Sequence, residues 1–155
     1  MHRLVRITSD DYRDFRRIFS QIRFSVLTKD TKRFLVPQYI LDMEIPKMKI
    51  KFQFLDEVND PQRELYFFEV DGERKGYVQL VFYGVQCDIL EFAVLEHGKG
   101  LGTILFNEAL ELIKGHSNVK MIRLWCPYPG AQLFWQKVGF MPKYKNQALY
   151  FEKKL

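Results

Sequence analysis

Three glycines at alternate positions separate a strand-like run from a helix-like run in "EFAVLEHGKGLGTILFNEALELI", residues 91–113. They are Gly98, Gly100 and Gly102. A helix N-terminus carries unpaired backbone N–H groups and the positive end of the helix dipole, which together bind phosphate. Glycine leaves that backbone accessible because it has no side chain. With Lys99 and His97 as nearby donors, the segment predicts a pyrophosphate-binding loop.

Two well-known phosphate loops do not match this segment. A P-loop has four residues between its first glycine and a Gly-Lys-Ser/Thr sequence, and no such sequence occurs here. A dinucleotide-binding loop needs G-x-G-x-x-G early in a βαβ unit, whereas this loop is G-x-G-x-G and follows several strand-like runs. Considered by itself, the loop is better explained as a glycine-rich turn without a ligand.

The hydrophobic pattern predicts the elements that position this loop. Their order is β, α, α, a meander of three strands, α, β, α, β. Asp71-Gly72 predicts a tight hairpin turn inside the meander. The stretch "KMKIKFQFL" fits either a strand or a helix, and we favour the helix. The fold class is therefore α/β with a mixed sheet, an antiparallel meander followed by β-α-β-α-β, and helices on both faces.

Composition sets broad limits on the protein. The 155 residues, 47% of them hydrophobic, predict a single domain over residues 1–155. The two cysteines, Cys87 and Cys126, lack metal-site or redox spacing, so we expect reduced core thiols and no metal. No apolar stretch is long enough for a membrane span or signal peptide, so we expect a cytoplasmic protein without membrane contact. The net charge of +5 is scattered, with its densest cluster at Lys47–Lys51.

The loop and its surroundings resemble the GNAT superfamily of N-acetyltransferases. That family's signature Gln/Arg-x-x-Gly-x-Gly/Ala matches at Gly100 and Gly102, with His97 in the first position. The strand before the loop ends in Ala93-Val94, as is common in the family. A later segment of the family type Ala-x-x-Phe-Tyr-x-x-x-Gly-Phe corresponds here to Ala131, Phe134, Trp135, Gly139 and Phe140. The sharp resemblance covers about residues 88–141.

The resemblance implies transfer of an acetyl group from acetyl-CoA to the amine of a small molecule or peptide. The backbone at Val94 and Leu95 would pair with the pantetheine arm. The loop would hold the pyrophosphate through a continuous set of residues: His97, Gly98, Lys99, Gly100, Leu101, Gly102 and Thr103. A homodimer is an option because dimers are frequent in the family.

An amine with a pKa of about 10.4 must lose a proton before it attacks a thioester. Asp88 is our first candidate base, because it has the face parity of Leu90, Phe92 and Val94 in the strand before the loop. Glu91, with the opposite parity, is the second. A backbone N–H near Val94 would polarise the thioester carbonyl.

Departures from the family pattern leave alternatives open. Trp135 replaces the tyrosine proposed as the family's acid, and an indole N–H cannot fill that role, so Trp135 is a packing or cofactor-wall residue. Tyr128, Tyr144 and Tyr150 are the substitute candidates. Together with His97, Trp135 motivates a degenerate, non-catalytic domain that senses CoA or regulates a partner. A nucleic-acid-associated module, motivated only by the basic balance, is not our expectation.

Overall fold

The computed structural model describes residues 1–21, 50–96, 98–116, 118–126, 129–145 and 148–155. Seven strands form one sheet in the order β1-β2-β3-β4-β5-β7-β6. The strands are β1 (His2–Arg6), β2 (Arg63–Val70), β3 (Glu73–Tyr83), β4 (Gln86–Val94), β5 (Met121–Leu124), β6 (Met141–Lys145) and β7 (Ala148–Lys154). All neighbouring pairs are antiparallel except β4 and β5, which run parallel. The predicted mixed sheet with an antiparallel meander is thereby confirmed.

Helices cover both faces of this sheet. The helical segments are α1 (12–21), α2 (Lys51–Asn59), α3 (Leu101–Lys114) and α4 (Pro129–Lys137). Thr8 caps a 3-10 turn, Ser9–Asp11, that leads into α1. It forms a capping box with Asp11, whose carboxylate accepts a hydrogen bond from the Thr8 N–H at 2.8 Å. The helix favoured for "KMKIKFQFL" is confirmed from Lys51 onward, and the helix predicted for "VPQYILDME" lies outside the described residues.

Two clusters of buried side chains fix these helices to the sheet. The cluster under α1 and α2 contains Phe15, Phe19, Phe54, Phe67 and Tyr77. The cluster under α3 and α4 contains Phe68, Val78, Leu105, Phe106, Ile113 and Phe151. Neighbouring residues such as Phe67 and Phe68 enter different clusters because successive side chains of a strand point to opposite faces.

The hairpin between β2 and β3 turns where the sequence predicts. Asp71 and Gly72 both have positive φ, 51° and 83°. Left-handed conformations at both central residues are typical of the type I′ turn, which matches the twist of the flanking strands. The turn therefore sets the register of the first hairpin of the meander.

The pairing of β4 with β5 is short, and the two strands separate beyond it. Only Gln86, Cys87 and Asp88 of β4 have partners on β5, namely Met121, Ile122 and Arg123. β4 continues to Val94, whereas β5 ends at Leu124. From Ile89 onward, β4 therefore has no described neighbour on that side.

Two expectations about the C-terminal third are wrong. The sequence predicts one final strand, but β6 precedes β7 and pairs with it at the sheet edge. All five residues of β6 are exposed, so the strand lacks the apolar alternation that reveals a half-buried strand. The run "GAQLFWQKVGF" also predicts a helix with Leu133, Phe134 and Val138 facing inward, but Leu133 on α4 is 71% exposed and Trp135 is buried instead.

Candidate active site

The glycine loop leads directly into the N-terminus of α3. Gly98 and Gly100 have φ of 78° and 75°, in the left-handed region that glycine adopts without strain. A Cβ atom added at either position would meet no heavy atom within 4 Å. Gly100 is the N-cap residue, and no side chain caps the helix. The first-turn N–H groups are thus left for another acceptor.

Three other predicted loop residues lie in the first turn of α3: Leu101, Gly102 and Thr103. Gly102 differs from the two loop glycines because its backbone φ is not positive. A Cβ at Gly102 would come within 3.4 Å of Cε2 of the Phe134 ring. A side chain added at Gly102 would therefore point towards α4, whereas one added at Gly98 or Gly100 would point into open space. His97 lies outside the described residues.

Lys99 is held at the loop by an acidic residue. Its Nζ lies 2.9 Å from the Glu96 carboxylate, and Lys75 on β3 contacts the same carboxylate at 3.1 Å. The hydrogen bonds from Lys99 and then Lys75 lower the pKa of Glu96 to about 2. Glu96 is therefore ionised at neutral pH. Lys75 also contacts the Glu73 carboxylate at 3.0 Å, so two carboxylates balance the two lysines beside the loop.

The exposed edge of β4 runs into this loop. The Leu95 N–H donates to the Lys75 carbonyl of the β3 segment at 2.7 Å. Alternate residues of an antiparallel strand direct their backbone groups to opposite edges, so the N–H and C=O of Val94 and Phe92 face away from β3. β5 does not reach them. Of the two predicted positions, Val94 therefore offers its amide to a ligand, and the Leu95 amide is already used.

A cavity of about 380 Å³ lies where β4 and β5 separate. Its lining combines charged, aromatic and aliphatic side chains, including Asp88, Leu90, Arg123, Trp125, Lys145 and Tyr150. The volume falls within the usual range of small-molecule sites. Asp88, the first candidate base, thus borders a space large enough for a small acceptor.

A β-bulge in β4 corrects the predicted orientation of Asp88. Gln79 pairs with Glu91 and Leu80 with Ile89, so Leu90 is the extra residue. Asp88 pairs with Val81, which shares a face with Gln79 because the two are two positions apart on β3. Asp88 and Glu91 therefore lie on the same face of the sheet. The prediction of opposite faces is wrong.

The two carboxylates differ in what surrounds them. Glu91 accepts hydrogen bonds from the Tyr77 hydroxyl at 2.7 Å and from Gln79 Nε2 at 2.5 Å. Gln79 is 1% exposed and also accepts from Arg63 at 2.9 Å, so Glu91 belongs to a buried polar network. Asp88 accepts from Gln86 through Oδ1 at 2.6 Å. In the described ranges no hydrogen bond uses its Oδ2.

The decisive comparison concerns the whole segment from before the meander to the end of α4. Residues 25–140 match the family model described as the acetyltransferase (GNAT) family. The chain belongs to the GNAT acetyltransferase family. The resemblance to the GNAT family and the fold expected from it are confirmed.

Solved GNAT structures resemble the chain over nearly its whole length. The PaiA N-acetyltransferase from Thermoplasma acidophilum, in complex with coenzyme A, has a TM-score of 0.75 at 17% identity and covers 100% of this chain and 99% of its own. The aminoglycoside acetyltransferase AAC(6')-Ib, also with coenzyme A, has a TM-score of 0.68 at 18% identity, covering 99% and 95%. The ribosomal-protein-S18-alanine N-acetyltransferase from Escherichia coli has 0.68 at 10%, covering 99% and 94%. No curated protein sequence matches the chain significantly.

The aromatic residues that depart from the GNAT pattern have distinct environments. Trp135 is 6% exposed and makes edge contacts with four phenylalanines: Phe92, Phe106, Phe134 and Phe140. These contacts support its packing role rather than direct contact with a cofactor. Tyr150 lines the cavity, Tyr144 is 75% exposed on β6, and Tyr128 lies outside the described residues.

Sequence reasoning missed three residues of this GNAT cavity: Arg123, Trp125 and Lys145. Arg123 lies beside Asp88 in the β4–β5 register, but the two are far apart in sequence and no motif joins them. Lys145 belongs to β6, which was itself missed. The sequence run "VKMIRLWC" predicts one continuous strand, whereas β5 ends at Leu124. Trp125 follows it immediately and is 65% exposed.

Metal sites and membrane-spanning helices are both missing from the part of the chain that the structure describes. Within the described ranges, no three His, Cys, Asp or Glu side chains come together as a metal site. No helix in the same part of the chain has the length and apolar character needed to cross a bilayer. Both cysteines, Cys87 and Cys126, are buried, and burial raises the pKa of Cys87 to about 12.

Proposed function

We propose that the protein is an acetyl-CoA-dependent N-acetyltransferase that acetylates an amine of a small molecule or peptide by direct attack. One observation carries this proposal. The free edge of β4 leads into an uncapped helix N-terminus with two left-handed glycines, and a cavity bordered by a carboxylate opens at the start of the same edge. A strand-like donor and an amine acceptor would therefore meet near Ile89 and Leu90.

The residues present fit the donor. Acetyl-CoA, when bound, supplies the acetyl group as a thioester. The first-turn N–H groups of α3 and the loop amides from Gly98 to Thr103 would hold its pyrophosphate, because anions bind at free helix N-termini. Lys99 would add charge from beside the loop. Val94 would contribute its backbone N–H and C=O to the pantetheine arm.

Asp88 is the better of the two proposed bases. It borders the cavity, and no described hydrogen bond uses its Oδ2. The Glu91 carboxylate already accepts hydrogen bonds at both oxygens, so both oxygens are engaged within the protein. Asp88 would accept the proton that the ammonium group loses, directly or through water, and pass it to solvent.

The reaction balances without any further reactant. The amine nitrogen forms a bond to the acetyl carbon as the carbon–sulfur bond breaks. The nitrogen gives up its second proton, and the sulfur takes one up to form the free thiol of CoA. Among the described tyrosines, Tyr150 borders the cavity, so it would donate this proton to the sulfur. The role assigned to Tyr128 stays a prediction.

Other assignments follow from the sequence alone. A single domain over residues 1–155, a cytoplasmic location and a homodimer stay predictions. The degenerate CoA-binding regulator is the weaker alternative, because Trp135, one of the two residues that motivate it, does not line the cavity. The other, His97, lies outside the described residues.

A thermal-shift titration with acetyl-CoA, CoA, ATP and NAD tests the donor first. A ligand at about 100 times its Kd adds roughly 2.7 kcal/mol, which raises the melting temperature by several degrees. We expect a shift with acetyl-CoA and CoA alone. Turnover is then measured as CoA thiol released in the presence of an amine panel, with low background since Cys87 and Cys126 are buried. Binding without release for any amine would favour the regulator.

A further inference from the structure

The charges that line the cavity do not suit a polycation. Among the residues that the structure describes, the lining holds one carboxylate, Asp88, against two cations, Arg123 and Lys145. Glu152, the register partner of Arg123 on β7, does not line it. Like charges brought together in a partly desolvated site repel each other. An acceptor with several ammonium groups would therefore meet an excess of positive charge, and an acceptor that also carries an anion would neutralise it.

Arg123 has the position and the donors to bind such an anion. Its Nε lies 3.8 Å from Asp88 Oδ1, and its guanidinium carbon lies 5.4 Å from the centre of the Tyr150 ring. The contact with Asp88 exceeds hydrogen-bond length, and across the described ranges no hydrogen bond uses the guanidinium group. Arginine presents a planar fork of N–H donors that matches a carboxylate.

Lys145 supplies a second donor from β6. In register it lies opposite Ala148 at the end of the β6–β7 hairpin, and within the described chain it makes no ion pair. Lys143 is two residues away on the same strand and face, but it does not line the cavity. The pair offers a matched test, because the two lysines differ mainly in their access to the cavity.

Apolar side chains complete the lining. Trp125 is 65% exposed and Leu90 is 45% exposed, and both border the cavity with the ring of Tyr150. Exposed aromatic and aliphatic surface next to fixed charges suits a ligand with one apolar group and polar ends. The closeness of Asp88 to Arg123 requires that the amine and the anion of that ligand are also close together.

We propose that the acceptor is a small amine that also carries a carboxylate and an apolar group, as an amino acid or a dipeptide does. Asp88 receives the amine, Arg123 and Lys145 hold the carboxylate, and the apolar group lies against Trp125 and Leu90. This assignment rests on the proposed function, since the same cavity is taken as the acceptor site.

Matched acceptor pairs test the assignment. Leucine is compared with leucinamide, and leucylglycine with leucylglycinamide, so that each pair shares its apolar group and differs in the carboxylate. Rates are referred to the concentration of unprotonated amine, because loss of a neighbouring carboxylate lowers the pKa of the amine; spermidine represents the polycations. We expect kcat/KM for the acid to exceed that for the amide by about tenfold or more in at least one pair, as for the loss of a charged hydrogen bond. The pair with the larger ratio identifies the source of the carboxylate.

Variants assign the effect to residues. Lys145→Gln and Arg123→Gln should each raise KM for the acid about tenfold more than KM for the amide, and Lys143→Gln should leave the ratio of the two KM values unchanged. Melting temperatures identify any variant that fails to fold. The exposed Lys145 keeps the test intact if Arg123→Gln is unstable.

Binding gives a readout independent of turnover. N-acetyl-leucine and N-acetyl-leucinamide are titrated while Trp fluorescence is followed, since Trp125 borders the cavity and Trp135 is buried. Tighter binding of the acid, weakened by Lys145→Gln, supports the assignment. Equal or better use of leucinamide or spermidine, or equal binding of the two N-acetyl compounds, overturns it and leaves the transferase proposal intact. Absence of any acetyl-CoA shift instead overturns the proposed function.

Discussion

Gly100→Ala tests the loop geometry and the donor site together. Gly100 has φ of 75°, and an L-residue in that conformation costs about 1–2 kcal/mol. For a domain of this size, each kcal/mol shifts the melting temperature by about 2–4 °C, so we expect a loss of about 2–8 °C. The added methyl would project into open space, where the phosphate is proposed to bind.

Gly102→Ala is the matched control. It lies within α3, and a Cβ there makes an ordinary contact with the Phe134 ring at 3.4 Å. Replacing a helical glycine by alanine gains about 0.5–1 kcal/mol, so this variant should keep or raise the melting temperature. Its methyl faces α4 and should leave the affinity for CoA unchanged.

Calorimetric titration with CoA completes the comparison. Gly100→Ala should weaken binding about 10- to 100-fold, the equivalent of one charge-assisted hydrogen bond at 1.5–3 kcal/mol. If both variants lower the melting temperature equally, the left-handed assignment of Gly100 is refuted. If Gly100→Ala binds CoA as tightly as the unaltered protein, the loop is not the pyrophosphate site.

Three further predictions concern Asp88, Gln79 and Tyr66. Asp88→Asn should lower kcat/KM by about 10²–10⁴ without loss of CoA affinity in a thermal shift, and full activity would exclude Asp88 as the base. Gln79→Ala should cost about 1–3 kcal/mol in urea unfolding, because Gln79 is 1% exposed and its loss leaves polar partners unsatisfied. Burial raises the pKa of Tyr66 from 10.0 to about 12, so the unfolded chain loses this proton first. Stability should therefore fall as the pH rises from 10 towards 12, and a Tyr66→Phe variant that shows the same fall would contradict this cause.

The sequence predicts features that depend on neighbouring residues. The Asp71-Gly72 turn has a local conformational cause, and so does the glycine loop, where φ must be positive at Gly98 and Gly100. The apolar stripe of α3 repeats at helical spacing and is equally local. For these elements, the residue types directly restrict the backbone.

Register and cavity could not be predicted in the same way. Leu90, Phe92 and Val94 alternate without interruption in the sequence, and this alternation predicts that Asp88 lies on the same face of β4 as these three residues. The bulge appears only when β4 is paired with β3, because the register shift depends on both strands. The cavity is lined by Arg123 of β5 together with residues of β4, β6 and β7. No local sequence pattern predicts that these residues lie close together.

The short pairing of β4 with β5 has a consequence for the mechanics of the sheet. The β2–β4 meander and the β6–β7 hairpin each form between strands adjacent in sequence, whereas Cys87 meets Ile122 only after α3 has crossed over. Three residue pairs join the two halves of the sheet along this seam, which makes it the place where the sheet opens at least cost. A ligand that pairs with the free edge of β4 and contacts β5 would act as a missing length of strand. Binding would then stiffen the seam itself and couple the two halves into one rigid sheet.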